Sequence, residues 1–212
     1  MWMIQSRIKK FILFFSSVLF PSYCCVCGKE GSPLCEVCLL KRAQALNTPA
    51  PWILSIYSFK DPVIKKAIHA IKYFHRKDLI TPLTGVIAKE ILENPLQIER
   101  VLVPIPMPKI RTYIRGYNHA EAIAKKIGEQ TGLTVRNDIL VRHFSKKRQV
   151  TTRSRRERIQ NQRNAFMVIQ DVAGMNIILI DDVTTTGATL LEARKLLLKH
   201  GAAHVEAFTI AH

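Results

Sequence analysis

The pattern of apolar and polar positions changes character twice along the chain. Phe11 to Phe20 form one apolar run behind Arg7, Lys9 and Lys10. A bilayer-spanning helix needs about 20 such residues, and no small-residue cleavage site follows, only Pro21-Ser22-Tyr23-Cys24. The run is therefore expected as an apolar helix docked on its own protein, in preference to membrane-surface attachment. The chain is expected to be cytoplasmic, with no transmembrane segment. A cysteine-rich stretch comes next, and Asn47-Thr48-Pro49-Ala50-Pro51 then forms a Pro-rich hinge. Two domains are expected, 1–48 and 49–212.

Beyond the hinge, strand and helix periodicities alternate. Trp52 to Ser58 reads as a strand, and Asp61-Pro62 opens a helix with Val63, Ile64, Ala67, Ile68 and Ile71 on one face. A second helix is expected over about Leu79 to Leu92, a short buried strand over Arg100 to Val103 and a third helix over about Asn118 to Gln130. Arg115 is read as opening that third helix beside Gly116. Asn176 to Ile180 is the next strand, Ala188 to His200 a helix, and His204 to Ile210 the last strand. Such alternation predicts an α/β fold: a parallel sheet, helices on both faces, and ligands at the carboxyl ends of strands.

Composition is that of an ordinary globular chain of 212 residues, 48% hydrophobic and 23% charged, which excludes collagenous, mostly disordered and multi-span membrane classes. Charge changes the picture. Thirty-two Lys and Arg against 16 Asp and Glu give +16, which favours polyanionic partners: nucleic acid, anionic lipid or phosphorylated metabolites.

All five cysteines lie between positions 24 and 38. Cys24 and Cys27 form one C-x-x-C pair, followed by Gly28; seven residues later Cys35 and Cys38 form another. Four thiolates at this spacing can close a tetrahedral structural Zn²⁺ site with Cys25 left out. Disulfides or a redox pair are the alternatives, but a redox C-x-x-C usually occurs singly on a βαβ unit.

The most specific motif follows the apolar strand Asn176 to Ile180: Asp181-Asp182-Val183-Thr184-Thr185-Thr186-Gly187-Ala188-Thr189. Gly187 permits a tight turn, the threonines offer hydroxyl donors, and the next helix presents unpaired N–H groups and its positive dipole end. That suits a phosphate monoester. The two carboxylates would repel the phosphate, but can accept hydrogen bonds from vicinal hydroxyls one sugar length away and help hold Mg²⁺ through water. The ligand implied is a ribose 5-phosphate. A plain capped turn needs one such residue, whereas two acids and four threonines surround this glycine. There is no Walker loop and no G-x-G-x-x-G.

This stretch closely resembles the phosphoribosyl-pyrophosphate (PRPP) loop of type I phosphoribosyltransferases. Together with the cysteines, Leu19-Phe20-Pro21, Val103-Pro104-Ile105-Pro106, Arg115-Gly116-Tyr117-Asn118 and the run Gln149, Arg158, Asn161, Ala165-Phe166, it resembles the ComF (competence) family. His119 departs from the family, where Gln is commoner, as does the arginine-rich Arg153 to Arg163. The resemblance implies that Asp181 and Asp182 are the catalytic pair, holding the ribose hydroxyls. It implies further that Thr184, Thr185, Thr186, Gly187, Ala188 and Thr189 hold the 5-phosphate, and that Val103 to Pro106 faces the pyrophosphate with Arg115 as a helper. Lys109 and Arg111 are further candidate neutralisers, or solvated cations at a helix start.

Arg136 to Arg163 carries ten Lys and Arg against Asp138 and Glu157, a net +8 and half of the chain's excess. By the resemblance, this segment closes over the active site. One pyrophosphate needs two or three cations, so the surplus, centred on Lys146, Lys147, Arg148, Arg153, Arg155, Arg156 and Arg158, reads as a nucleic-acid track, with a solvated loop as the alternative. Phe144 and Tyr117 are able to stack bases or to join the core. His119 is the one histidine selected for functional test. Two functions remain open. One is a PRPP-binding protein that also binds single-stranded DNA and acts in natural transformation beside DNA-uptake helicase or recombination-mediator proteins. The other is an active phosphoribosyltransferase of nucleotide or related metabolism with no DNA role.

Overall fold

An apolar strand with no alternation must be covered on both faces, and Asn176 to Ile180 is so covered. In the computed structural model, residues 21–93, 99–142 and 165–212 are described. In chain order they form α1 (Glu36–Leu40), β1 (Ile53–Tyr57), α2 (Pro62–Tyr73), a 3-10 turn (Lys77–Leu79), α3 (Ile80–Glu93) and β2 (Arg100–Pro104). Then come α4 (Lys109–Arg115), α5 (His119–Thr131), β3 (Thr134–Val135), β4 (Leu140–Arg142), β5 (Phe166–Val168), β6 (Asn176–Val183), α6 (Ala188–Lys199) and β7 (His204–Ala211). The chain divides into two compact units between Lys41 and Arg42.

The larger unit is built on a five-stranded sheet in the order β1-β7-β6-β2-β3, every neighbouring pair parallel. β6 lies in its middle, and Ile177, Ile178, Leu179 and Ile180 are buried there, as a central parallel strand requires. Val103 and Pro104 of β2 pair with Leu179 and Ile180, and the Ile105 amide donates to the Ile180 carbonyl at 2.9 Å. β2 ends at Pro104, opposite Ile180, while β6 runs on to Val183, which puts the Pro104–Pro106 turn beside Asp181.

α2 starts where its sequence says it should. Asp61 caps it, accepting from the amides of Val63 (2.9 Å) and Ile64 (3.2 Å), with Pro62 at the first helical position. Ile64, Ala67, Ile68 and Ile71 form its buried face, each large side chain contributing about 1.5–3 kcal/mol on full burial.

Three features differ from expectation. Arg115 does not open a helix; it is the last residue of α4, and Gly116, at φ +75°, closes that helix. The two residues of β3 were not anticipated. Nor was the antiparallel ribbon of β4 and β5, which pairs Leu140 with Val168 and Arg142 with Phe166. Among the described residues, no helix is long and apolar enough to cross a membrane. The run Phe11 to Phe20 lies outside them.

Candidate functional site

β6 continues past its apolar core into Asp181, Asp182 and Val183, still in register with Thr209 and Ala211 of β7. Sheet pairing ends at Thr184, whose amide donates to the Ala211 carbonyl at 3.0 Å. Thr184 is buried, Thr185 and Thr186 are exposed, and Ala188 and Thr189 are half-buried. The turn into α6 passes through Gly187 at φ +70°. A Cβ there would lie 3.0 Å from Pro49 Cβ and 3.1 Å from Ile53 Cδ1, so both backbone conformation and space require glycine. Thr186 Oγ1 accepts from the Ala188 amide at 3.4 Å. The amides of Thr185, Thr186 and Gly187 find no acceptor among the described residues. Free amides, exposed hydroxyls and the positive end of a 12-residue helix make an anion-binding turn.

The two carboxylates are not equivalent. Asp182 Oδ2 pairs with Lys72 Nζ of α2 at 2.9 Å. Asp181 Oδ1 accepts the Asp182 amide at 2.9 Å. Burial first, and then the neighbouring Asp182 charge, push Asp181 up from its ordinary 3.8 to about 7 against the opposing pull of that amide, Lys72 and Arg142. Folded Asp181 thus keeps its proton over a range in which the unfolded residue has lost it. Stability should fall as pH rises from about 4 to about 7, and stay reduced above that. Asp181→Asn should flatten this dependence and raise stability near pH 8 by on the order of 2–3 kcal/mol, measured by denaturant melts at pH 5 and 8. Equal melts for the two proteins at both pH values would refute it.

Around the acidic pair the fold gathers residues distant in sequence. Tyr117 donates to the Ile71 carbonyl at 2.6 Å, and burial, then Asp182, raise its pKa. His119, the first residue of α5, is fully buried 4.7 Å from the Tyr117 ring. Neither of its ring nitrogens has a hydrogen-bond partner among the described residues. Burial holds its pKa below the ordinary histidine value, outweighing the pull of Asp182. Arg115 Nη2 donates to the Tyr73 hydroxyl at 3.1 Å. Arg111 is exposed. A cleft of about 260 Å³ opens at the end of β2, lined by Pro104, Pro106, Asn118, Leu140 and Arg142 among others.

Two members of this site carried no local signal. Lys72 read only as one more cation on α2, and Arg142 only as part of the basic run. Of that run, Arg136 is held by Asp138 at 2.8 Å, and Arg142 lies 5.3 Å from the Phe166 ring. Lys146, Lys147, Arg148, Arg153, Arg155, Arg156 and Arg158 lie outside the described residues, as does Phe144.

The smaller unit is organised by its cysteines. The Sγ atoms of Cys24, Cys27, Cys35 and Cys38 all lie within 4.8 Å of one another, and Cys25 is exposed outside the group. Two backbone turns bring them together: the Gly28 amide donates to the Cys24 carbonyl at 2.9 Å, with Gly28 at φ +73°, and the Cys38 amide to the Cys35 carbonyl at 3.0 Å. The Cys35 amide donates to Cys24 Sγ at 3.4 Å. Backbone donors from Cys35, Cys27 and Val26 outweigh burial and lower the Cys24 thiol to about 6, while burial and the neighbouring sulfurs push Cys38 up to about 12. A tetrahedral Zn²⁺ with arms of about 2.3 Å has sulfur–sulfur edges of about 3.8 Å. Cys27 and Cys35 stand 3.6 Å apart, so the group is able to hold such an ion.

The phosphoribosyl transferase domain model matches residues 87–212. DNA utilization protein YhgH of Salmonella typhimurium (strain LT2) is 26% identical over 205 residues, covering 88% of each chain. Competence protein ComFC of Bacillus subtilis (strain 168) is 30% identical over 194 residues, 88% of this chain and 76% of that one. Among solved structures, a hypoxanthine phosphoribosyltransferase from Staphylococcus aureus covers 63% of this chain and 62% of its own, with 14% identity and a TM-score of 0.38. With the domain matched over more than half of its length and a competence protein matched along nearly all of it, the chain belongs to the competence branch of the phosphoribosyl transferase domain family.

Proposed function

We propose that this protein binds PRPP with Mg²⁺ at the turn after β6, binds single-stranded DNA, and acts in the uptake and use of incoming DNA. The observation that carries the reading is the acidic pair at the end of β6 leading into an anion-binding turn at the start of α6. Asp181 and Asp182 accept the ribose hydroxyls, while the hydroxyls of Thr185 to Thr189 and the free amides of Thr185, Thr186 and Gly187 take the 5-phosphate. The cleft at the end of β2 supports a diphosphate position beside Arg142. Mg²⁺ supplies charge neutralisation to that diphosphate. In the smaller unit, Cys24, Cys27, Cys35 and Cys38 hold a structural Zn²⁺. The domain limits 1–48 and 49–212 are retained as the proposed working division of the protein. The DNA role rests on the names of the relatives, DNA utilization protein and competence protein, and on the basic residues 136–163.

Calorimetric titration tests the ligand. PRPP should saturate one site per chain with Mg²⁺ present and bind far more weakly with EDTA; heat-silent titrations in both conditions would remove the reading. DNA affinity should fall linearly in log–log form with salt. Replacing Arg153, Arg155 and Arg156 by Ala should lower that slope by about 0.7 for each phosphate no longer neutralised. If one polyanion alters the affinity of the other, linkage requires the same factor in both directions; identical DNA curves with and without saturating Mg²⁺-PRPP would separate the two sites.

A further inference from the structure

Two basic segments meet at the carboxyl end of α2. Residues 62–77 carry Lys65, Lys66, Lys72, Arg76 and Lys77, of which Lys72 pairs with Asp182 and Arg76 with Asp78, and residues 101–120 carry Lys109, Arg111 and Arg115. In the middle of this positive region aromatic rings stand in solvent. Tyr73, the last residue of α2, is 54% exposed, and Phe74, which follows it, is 68% exposed. His69 lies 4.6 Å from the Tyr73 ring and 5.7 Å from the Phe74 ring. The Arg115 guanidinium sits 5.0 Å from the Tyr73 centroid as well as donating to its hydroxyl. On the neighbouring turn, His75 lies 5.8 Å from the half-buried Tyr117, and Lys77 Nζ sits 4.4 Å over that ring.

Tyr73 and Phe74 keep more than half of their surface in solvent despite these contacts, an adhesive spot at a helix end. We infer that Tyr73 and Phe74, with His69 and His75, form a stacking platform for the bases of a single-stranded nucleic acid, whose phosphates are met by Arg115 and Lys77. The inference deepens the DNA reading above and rests on it for the choice of ligand. Rings paired with cations are the two components of sequence-tolerant single-strand binding: every base has a face to stack, and every phosphate needs a counter-charge. An anionic membrane would also meet the charge. The neighbouring α4 also exposes Ile110 and Ile114, so the nucleic-acid reading is carried by the pairing of rings with cations, and vesicle binding is kept as an outcome of the test.

The test uses the full chain and a fluorescent oligo(dT) at about 150 mM salt. Loss of one stacked base costs about 5- to 150-fold in affinity. The Tyr73→Ala, Phe74→Ala double variant should therefore bind at least about 20-fold more weakly, at an unchanged log–log salt slope, because rings release no counterions. Arg115→Ala with Lys77→Ala should lower the slope. Tyr73→Trp with Phe74→Tyr, which keeps both rings, should bind as the parent does. An oligo(dT) affinity that survives the double alanine change, or that falls no further than the melting temperature explains and is not restored by the ring-keeping pair, overturns the platform. So does a double variant that loses only phosphatidylglycerol vesicles, which would assign the rings to a membrane. Mg²⁺-PRPP titration of the same proteins separates the two readings. A parent that stacks oligo(dT) but ignores PRPP refutes the proposed ligand alone, and a ring-less variant that keeps both ligands refutes the platform alone.

Discussion

Cys38→Ser should release the proposed Zn²⁺ and unfold residues 22–40, the largest effect expected of any single substitution in this chain. A unit this small cannot bury enough apolar surface to fold on its core alone. Among its described residues the buried side chains are Leu34, Leu39 and the cysteines Cys24 and Cys38 themselves. Structural Zn²⁺ binding is worth about 10–16 kcal/mol near pH 7, and in such modules that energy is folding energy. Without a cation, backbone donors outweigh burial and lower the Cys24 thiol, while burial and the neighbouring sulfurs push Cys38 up. A divalent ion reverses that balance by pairing with four thiolates, so metal affinity should fall as pH falls and protons compete for sulfur. Freshly purified protein should carry about one zinc per chain by atomic emission. Cys25→Ser, outside the group, should keep it, whereas Cys38→Ser should not, and amide exchange should show the loss of protection confined to the small unit. Metal-free native protein, or equal loss from Cys25→Ser, would exclude the site.

How much of this was legible in the sequence follows from the range of the interactions. The strand β6, its acidic pair, the threonine turn and the cysteine turns are each written within about ten consecutive residues, and local patterns report local structure. α2 and α5 were legible for the same reason, through an apolar stripe and a capping Asp61 or Asn118. α4 was missed because Ile110 and Ile114 remain exposed: a helix that buries no stripe leaves no helical period to read. The β4–β5 ribbon has only three residues in each strand, too short for alternation to register. Lys72 and Arg142 are long-range partners. Lys72 is 110 positions from Asp182, and only the parallel sheet brings α2 over the end of β6. His119 was singled out for standing next to a glycine, but its complete burial without a ring partner depends on α2 and Tyr117, and no local pattern encodes it.

Removing Asp181 and Asp182 separates binding from stability, because the two effects have opposite signs at Asp181. Apo protein carries two carboxylates at one strand end, with Lys72 in direct contact with Asp182 and Arg142 acting on Asp181 from further off. Neutralising Asp181 relieves burial and repulsion, so Asp181→Asn should make the unliganded protein more stable above pH 7. The same change removes a charged acceptor from the ribose hydroxyls. A hydrogen bond to a charged group is worth about 1.5–3 kcal/mol, so PRPP affinity should fall about 10- to 150-fold. Asp182 behaves differently. Asp182→Ala strips Lys72 of its partner in a half-buried setting, so this variant should lose stability as well as affinity. The Asp181→Ala, Asp182→Ala double variant should bind Mg²⁺-PRPP at least about 100-fold more weakly by calorimetry if the two losses add, though adjacent residues need not be additive. A protein merely damaged by mutation would lose stability and binding together at both positions. A more stable Asp181→Asn with weakened PRPP binding is accounted for only by a carboxylate kept at energetic cost for its ligand. Unaltered PRPP affinity in the double variant would mean that the turn after β6 is not the site.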